Sequence, residues 1–247
     1  MAAQTSERPP ASRVAGVDGC KSRWLCIARD LRSGGIEAQL FESAAQLADQ
    51  DPLPDVIGWD IPIGLADDGT GRGCDRAARS VLRAPRASSV FAAPIRAALA
   101  AASRAEASEI TARLCEGRRV AAQAFGIFAK VRELDALLEA RPALQGRIRE
   151  VHPEICFWAW NNGVPMRHYK KTEAGERERR DLVVRHFGED VLEAVRKQLA
   201  PKRAPTDDVL DAFAALWTAE RIALGVARTL PEEPLLDARG LRMEIVY

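Results

Sequence analysis

Residues 14–43 read VAGVDGCKSRWLCIARDLRSGGIEAQLFES. Two apolar runs, VAGVDGC and WLCIARDL, stand three residues apart, and each has the length of a buried strand. Ser33, Gly34 and Gly35 follow the second run as a hairpin turn signal. They lead into GIEAQLFES, where apolar and polar residues alternate with the period of a strand. Working outward, 43–50 read as a short helix, and DVIGWDIPIGL holds a buried strand from Val56 to Asp60, stopped by Pro62. Helices are expected over 105–115 and 121–139, the latter with Ile127, Val131, Leu134 and Leu138 on one stripe. A strand is expected near 149–152, broken at Pro153. Charged helical segment fills 173–200, a strong helix runs from Asp207 to about Ala227 with Thr206 as its N-cap, and LRMEIV at 241–246 forms a last strand. Three antiparallel-compatible strands followed by alternating helices and strands predict an α/β fold, a mixed sheet with helices on both faces.

The stretch from Asp67 to about Arg104 differs in character. From Gly69 to Ala105 it carries seven arginines (72, 76, 79, 83, 86, 96 and 104) against one acid, Asp75. It reads as an Arg-rich insertion of short helices and loops after strand four, spanning about 61–120. Residues 1–13 are polar with a Pro pair and read as a disordered tail, leaving 14–247 as a single domain. The opening MAAQTSERPPASR has no apolar region of the secretory kind. The 247 residues hold 36 Lys plus Arg and 35 Asp plus Glu, a net charge of +1, which excludes a diffusely basic nucleic-acid coat protein. No apolar run approaches the roughly 18 residues of a membrane span. Five cysteines without a CxxC pair argue against a disulfide framework or a zinc ribbon. A cytoplasmic location is expected.

Four aspartates carry the chemistry. Asp18 closes the first strand at VAGVDGC, and Asp60 closes the fourth at GWDIPIGL. Carboxylates at strand ends face the crevice where α/β proteins bind ligands. Asp208 and Asp211 lie in PTDDVLDAFAALWTAERIAL. Acids in a first helical turn suit the dipole, which accounts for Asp207 and most of Asp208. Asp211 sits a turn further in, among Val209, Leu210, Ala212 and Phe213, on a line that continues through Ala215, Thr218 and Ile222. That helix therefore turns carboxylates toward the sheet, an arrangement that is costly without a compensating cation. Hard oxygen donors in this number suit Mg²⁺ or Mn²⁺, and two such ions activate water on a phosphodiester.

The strings GVDGCKSRWL, DIPIGL, CDRAARSVL, SVFAAP, EVHPEICFWAWNNG, KKTEAGERERR and DDVLDAFAALWTA resemble the predicted nuclease family known as domain of unknown function 429, over about Val14 to Tyr247. The resemblance implies a ribonuclease H-like fold. The placement of the acids is similar to the Holliday-junction-resolvase branch, with an acid on strand one, an acid at the end of strand four and an Asp-x-x-Asp pair on the last helix. Asp18, Asp60, Asp208 and Asp211 hold those positions here, with Asp60 standing where that branch usually carries Glu.

His152 and Glu154, in EVHPEICFWAW, are further candidates, as proton shuttle and as extra ligand or base, with Glu150 the competing choice. Arg72, Arg76, Arg79 and Lys171 are candidate phosphate contacts on DNA or RNA. Trp158 and Trp160 read as core aromatics rather than base-stacking platforms. GTGRG at 69–73 is like a phosphate loop only superficially, since no strand leads into it. Cys20 and Cys74 lack a paired His and do not read as nucleophiles. The leading function is a metal-dependent phosphodiesterase acting on nucleic acid. The alternatives are a nucleotide-binding protein of the actin-like ATPase type and a catalytically idle interaction module.

Overall fold

The computed structural model describes residues 11–199 and 204–247. Residues 1–10 of the expected tail lie outside the described residues, and Arg13 already opens the first strand. The leading strands are β1 (Arg13–Cys20), β2 (Arg23–Asp30) and β3 (Ile36–Phe41), followed by the short helix α1 (Ala44–Ala48) and β4 (Val56–Trp59). Next come α2 (Gly73–Arg86), α3 (Arg104–Leu114), α4 (Ala122–Gly126) and α5 (Phe128–Ala140). Strand β5 (Ile148–Glu150) leads into α6 (Pro153–Trp160), α7 (Glu173–Phe187), α8 (Glu189–Gln198) and α9 (Thr206–Ala223). The hairpin β6 (Thr229–Leu236) and β7 (Arg242–Val246) closes the chain.

The main sheet has the order β3-β2-β1-β4-β5. β1 and β2 pair antiparallel, as do β2 and β3, whereas β4 runs parallel to both β1 and β5. The turn between β2 and β3 uses Gly34 at φ 76°, open to glycine at no steric cost. Period-two alternation sorts the strands between two cores. Val14 and Cys20 of β1 pack with α6, α7, α8 and α9 on one face. Ala15 and Val17 pack with Leu47 of α1 and Val131 and Leu134 of α5 on the other.

Several boundaries depart from the sequence reading. Pro153 was expected to break a strand; it also opens α6, because proline at the first helical position loses no needed donor. The expected single helix over 121–139 is α4 and α5, parted at Ile127. The charged segment is likewise two helices, parted at Gly188 with φ 96°. Thr206 lies inside α9, whose N-cap is Pro205 with no side-chain cap bond. Strand β6 was not expected, since Pro231, Pro234 and two exposed glutamates mask its pattern, and its ladder to β7 is interrupted between Leu230 and Leu235. The 67–104 stretch is more ordered than expected, with α2 running fourteen residues through a kink at Arg83 and Ala84. Among the described residues no helix is long and apolar enough to cross a membrane.

Candidate active site

Two glycines set the position of the site. Gly16 of β1 and Gly58 of β4 are register partners. A Cβ on Gly16 would lie 2.1 Å from Leu216 N and 2.2 Å from Ala212 O, and one on Gly58 would lie 2.7 Å from Ala215 O. The backbone of α9 therefore rests directly on the sheet, with Ala212 and Ala215 at the contact. Asp18 follows Gly16 by two residues and Asp60 follows Gly58 by two, so both belong to the face that α9 covers. Asp208 and Asp211 lie one helical turn before Ala212 and Ala215. The same docking brings both pairs together at the C-terminal ends of the parallel strands. The Asp60 N–H donates to Val17 O at 2.8 Å, which ties the end of β4 to β1.

The four carboxyl groups act on one another. Burial, then repulsion from Asp60, Asp211 and Asp208, holds the Asp18 carboxyl well above its usual range. Burial and Asp211 push Asp60 up to about 7, against the pull of Lys170 and a side-chain hydrogen bond with Asp18. Asp208 is pushed up to about 6 by burial and then by Asp207. Asp211 is raised by burial and drawn down by Lys170. Asp18 and Asp211 are 7% and 2% exposed, so solvent screens them little. The Asp18 Oδ1 accepts from Gly19 N at 2.6 Å.

Lys170 is the cation of the cluster. Its Nζ donates to Asp211 Oδ2 at 2.5 Å, and the neighbouring carboxylates hold its ammonium protonated well above the ordinary lysine range despite burial. Lys171, the candidate phosphate contact beside it, is exposed. Lys130 approaches from α5, donating to Arg23 O at 2.6 Å with its ammonium 4.0 Å from the Trp24 ring centroid. Cys20 shares a hydrogen bond with Asp208, and burial pushes its thiol up to about 11, as suits a group that is no nucleophile.

The remaining candidates lie around this cluster. His152 follows β5 at the same sheet edge; burial lowers its pKa, its ring bonds the Ser89 backbone, and its Nδ1 has no partner. Glu154 pairs with the buried Arg179 guanidinium, and its charge reaches Asp211. Glu150 is committed elsewhere: Oε2 accepts from Ile63 N, and Oε1 pairs with Arg72. Arg72 is 2% exposed, with Nε and Nη2 on Cys74 Sγ at 3.2 and 2.8 Å. Its guanidinium is enclosed by Glu150, Cys74 and Asp75. Arg76 is exposed and Arg79 half-buried. Trp160 stacks on Trp217 at 5.0 Å, inside the core.

Two groups invite a cation. Cys74, Asp75 and Glu150 bring ligand atoms within 4.8 Å of one another, the one such group among the described residues. The Arg72 guanidinium already fills it. The four aspartates are spaced more widely, with Lys170 among them. Their donor set is four carboxyl groups with raised proton affinity, faced by the Lys170 and Lys130 ammonium groups, and hard oxygen donors of this kind could hold a hard divalent ion.

The fold and site together define a mixed α/β protein with an acidic cluster at the C-terminal edge of its parallel strands. The chain belongs to the family described as protein of unknown function (DUF429), whose model matches residues 16–235. Comparison with curated proteins and with solved structures finds no match.

Proposed function

We propose that this protein is a metal-dependent nuclease with a ribonuclease H-like fold, hydrolysing phosphodiester bonds in DNA or RNA with Mg²⁺ or Mn²⁺. The observation that carries the reading is the convergence of Asp18, Asp60, Asp208 and Asp211, each raised in pKa, at one sheet edge. The sheet order, with β2 antiparallel and the long α9 on β1, supports the fold assignment. Asp18, Asp60, Asp208 and Asp211 would hold the ion, which supplies an activated water and neutralises the leaving oxygen when bound. Asp60, at about 7, exchanges a proton near neutral pH. Lys170 offsets the Asp211 charge and is placed to meet a phosphate oxygen when that carboxylate turns to a metal. The unpartnered Nδ1 of His152 is a proton acceptor beside the cluster. Lys171 lies outward of Lys170, where it meets the nucleic-acid backbone.

The test is cleavage of labelled single-stranded, duplex and branched DNA and RNA with Mg²⁺ or Mn²⁺. Wild type cleaves at least one substrate, EDTA stops it, and Asp60→Asn fails to cleave. Lys170 favours a second reading, an idle module in which lysine ammonium groups compensate the acids. Wild type that neither cleaves nor binds Mn²⁺ saturably would select that reading.

A further inference from the structure

The GTGRG stretch and the segment after α3 meet at a cavity of about 380 Å³, within the range of small-molecule sites. Five arginines line it, Arg72, Arg76, Arg79, Arg118 and Arg119, against the single carboxylate of Asp75. Asp75 is already engaged, by Arg72 at 3.4 Å and by the Ala93 N–H at 3.2 Å. Several arginines elsewhere pair with acids: Arg96 with Asp135 and Asp237, Arg149 with Glu244, Arg179 with Glu154. Of the five here only Arg72 does, with Asp75 and Glu150. Among the described residues Arg76, Arg79, Arg118 and Arg119 make no ion pair, and the first three donate to main-chain carbonyls of Thr70, Gly71, Val90, Cys115 and Gly69. Buried Arg72 keeps Nη1 without any hydrogen-bond partner.

Guanidiniums held together by loop carbonyls repel one another until an anion joins them. The positive end of α2, which starts at Gly73, adds to the same field. The rest of the lining is mostly apolar, including Pro94, Ile95 and Phe128, with Thr70 and Thr111 as the polar exceptions, and Phe91 stands 47% exposed with no ring contact among the described residues. We propose that this cavity is a second ligand site, separate from the aspartate cluster, that takes a small aromatic phosphomonoester of the nucleoside monophosphate class. Several guanidiniums match the three terminal oxygens of a phosphomonoester better than the two of a carboxylate. The Phe91 face suits a planar ring.

The proposal does not depend on nuclease activity, so its test uses metal-free protein in EDTA. Calorimetric titration with AMP gives saturable binding, and adenosine and inorganic phosphate each bind roughly tenfold more weakly or worse. The Arg76→Ala, Arg119→Ala double variant, at two exposed side chains, weakens AMP by roughly tenfold or more. Phe91→Ala weakens AMP while leaving inorganic phosphate unchanged. Melting curves check that each variant is folded, and Arg119→Ala alone, expected to weaken AMP, replaces the double variant if that one melts early. Absence of saturable AMP binding at millimolar concentration overturns the proposal, as does AMP affinity unchanged in a folded arginine variant.

Discussion

Asp60→Asn exposes the tension built into the acidic cluster. Burial and Asp211 hold the Asp60 carboxyl at about 7 rather than at 3.8. The folded protein then grips that proton more tightly than the unfolded chain does. The stabilisation is fully present below about pH 4 and is lost as pH rises through about 7. The interval is worth about 4 kcal/mol at most. Asn has nearly the same shape and cannot ionise, so it escapes the loss; it also forgoes the attraction to Lys170, which trims the gain. Metal-free Asp60→Asn is therefore more stable than wild type at pH 8 by about 2–4 kcal/mol, and by only about 1–2 kcal/mol at pH 5, where the folded carboxyl still keeps its proton. For a chain of this length each kcal/mol moves Tm by roughly 2–4 °C. Thermal melts in EDTA at the two pH values read the difference directly. Mg²⁺ reverses the order, stabilising wild type and not the variant. A variant less stable than wild type at pH 8, or raised equally at both pH values, would refute the reasoning.

Asp211→Asn behaves differently despite the same chemistry, because it strips Lys170 of its 2.5 Å partner. It abolishes the response to Mg²⁺ but lowers metal-free stability by about 1–3 kcal/mol in urea unfolding, and a gain like that of Asp60→Asn would contradict the pairing. Gly16→Ala forces a methyl group against the α9 backbone and costs about 3 kcal/mol or more, again by urea unfolding; a cost below about 1 kcal/mol would mean that α9 does not rest on β1 as described. Arg72→Met leaves Glu150, pushed up by burial, without its cation. It destabilises by about 3–5 kcal/mol at pH 8 and less at pH 5, where Glu150 takes a proton; equal loss at both would place the cost in packing.

Local rules made part of this legible in the sequence. The alternation in 14–43 and the turn at Gly34 give β1 to β3 nearly residue by residue. Asp18, Asp60 and Asp211 stood out because each interrupts an apolar pattern, and no local turn or cap accounts for Asp211. What stayed hidden depends on distant partners. Lys170 sits in a run of mixed charge like any solvated face, and only the fold turns it onto Asp211. Arg72 lies in a basic stretch that looks exposed, yet Glu150, seventy-eight residues on, draws it inside. Gly16 and Gly58 read as ordinary strand glycines until α9 lies across them. The arginine cavity is invisible for the same reason, since 70–79 and 118–119 meet only in three dimensions.

The central claim is that the four aspartates hold a divalent ion, and a crystal grown with Mn²⁺ and read by anomalous scattering tests it most directly. The account predicts a peak within coordination distance of Asp18, Asp60 and Asp211, with the Lys170 ammonium moved off Asp211. An aspartate cluster without anomalous density, Lys170 still on Asp211, would contradict it, as would a peak confined to Cys74, Asp75 and Glu150.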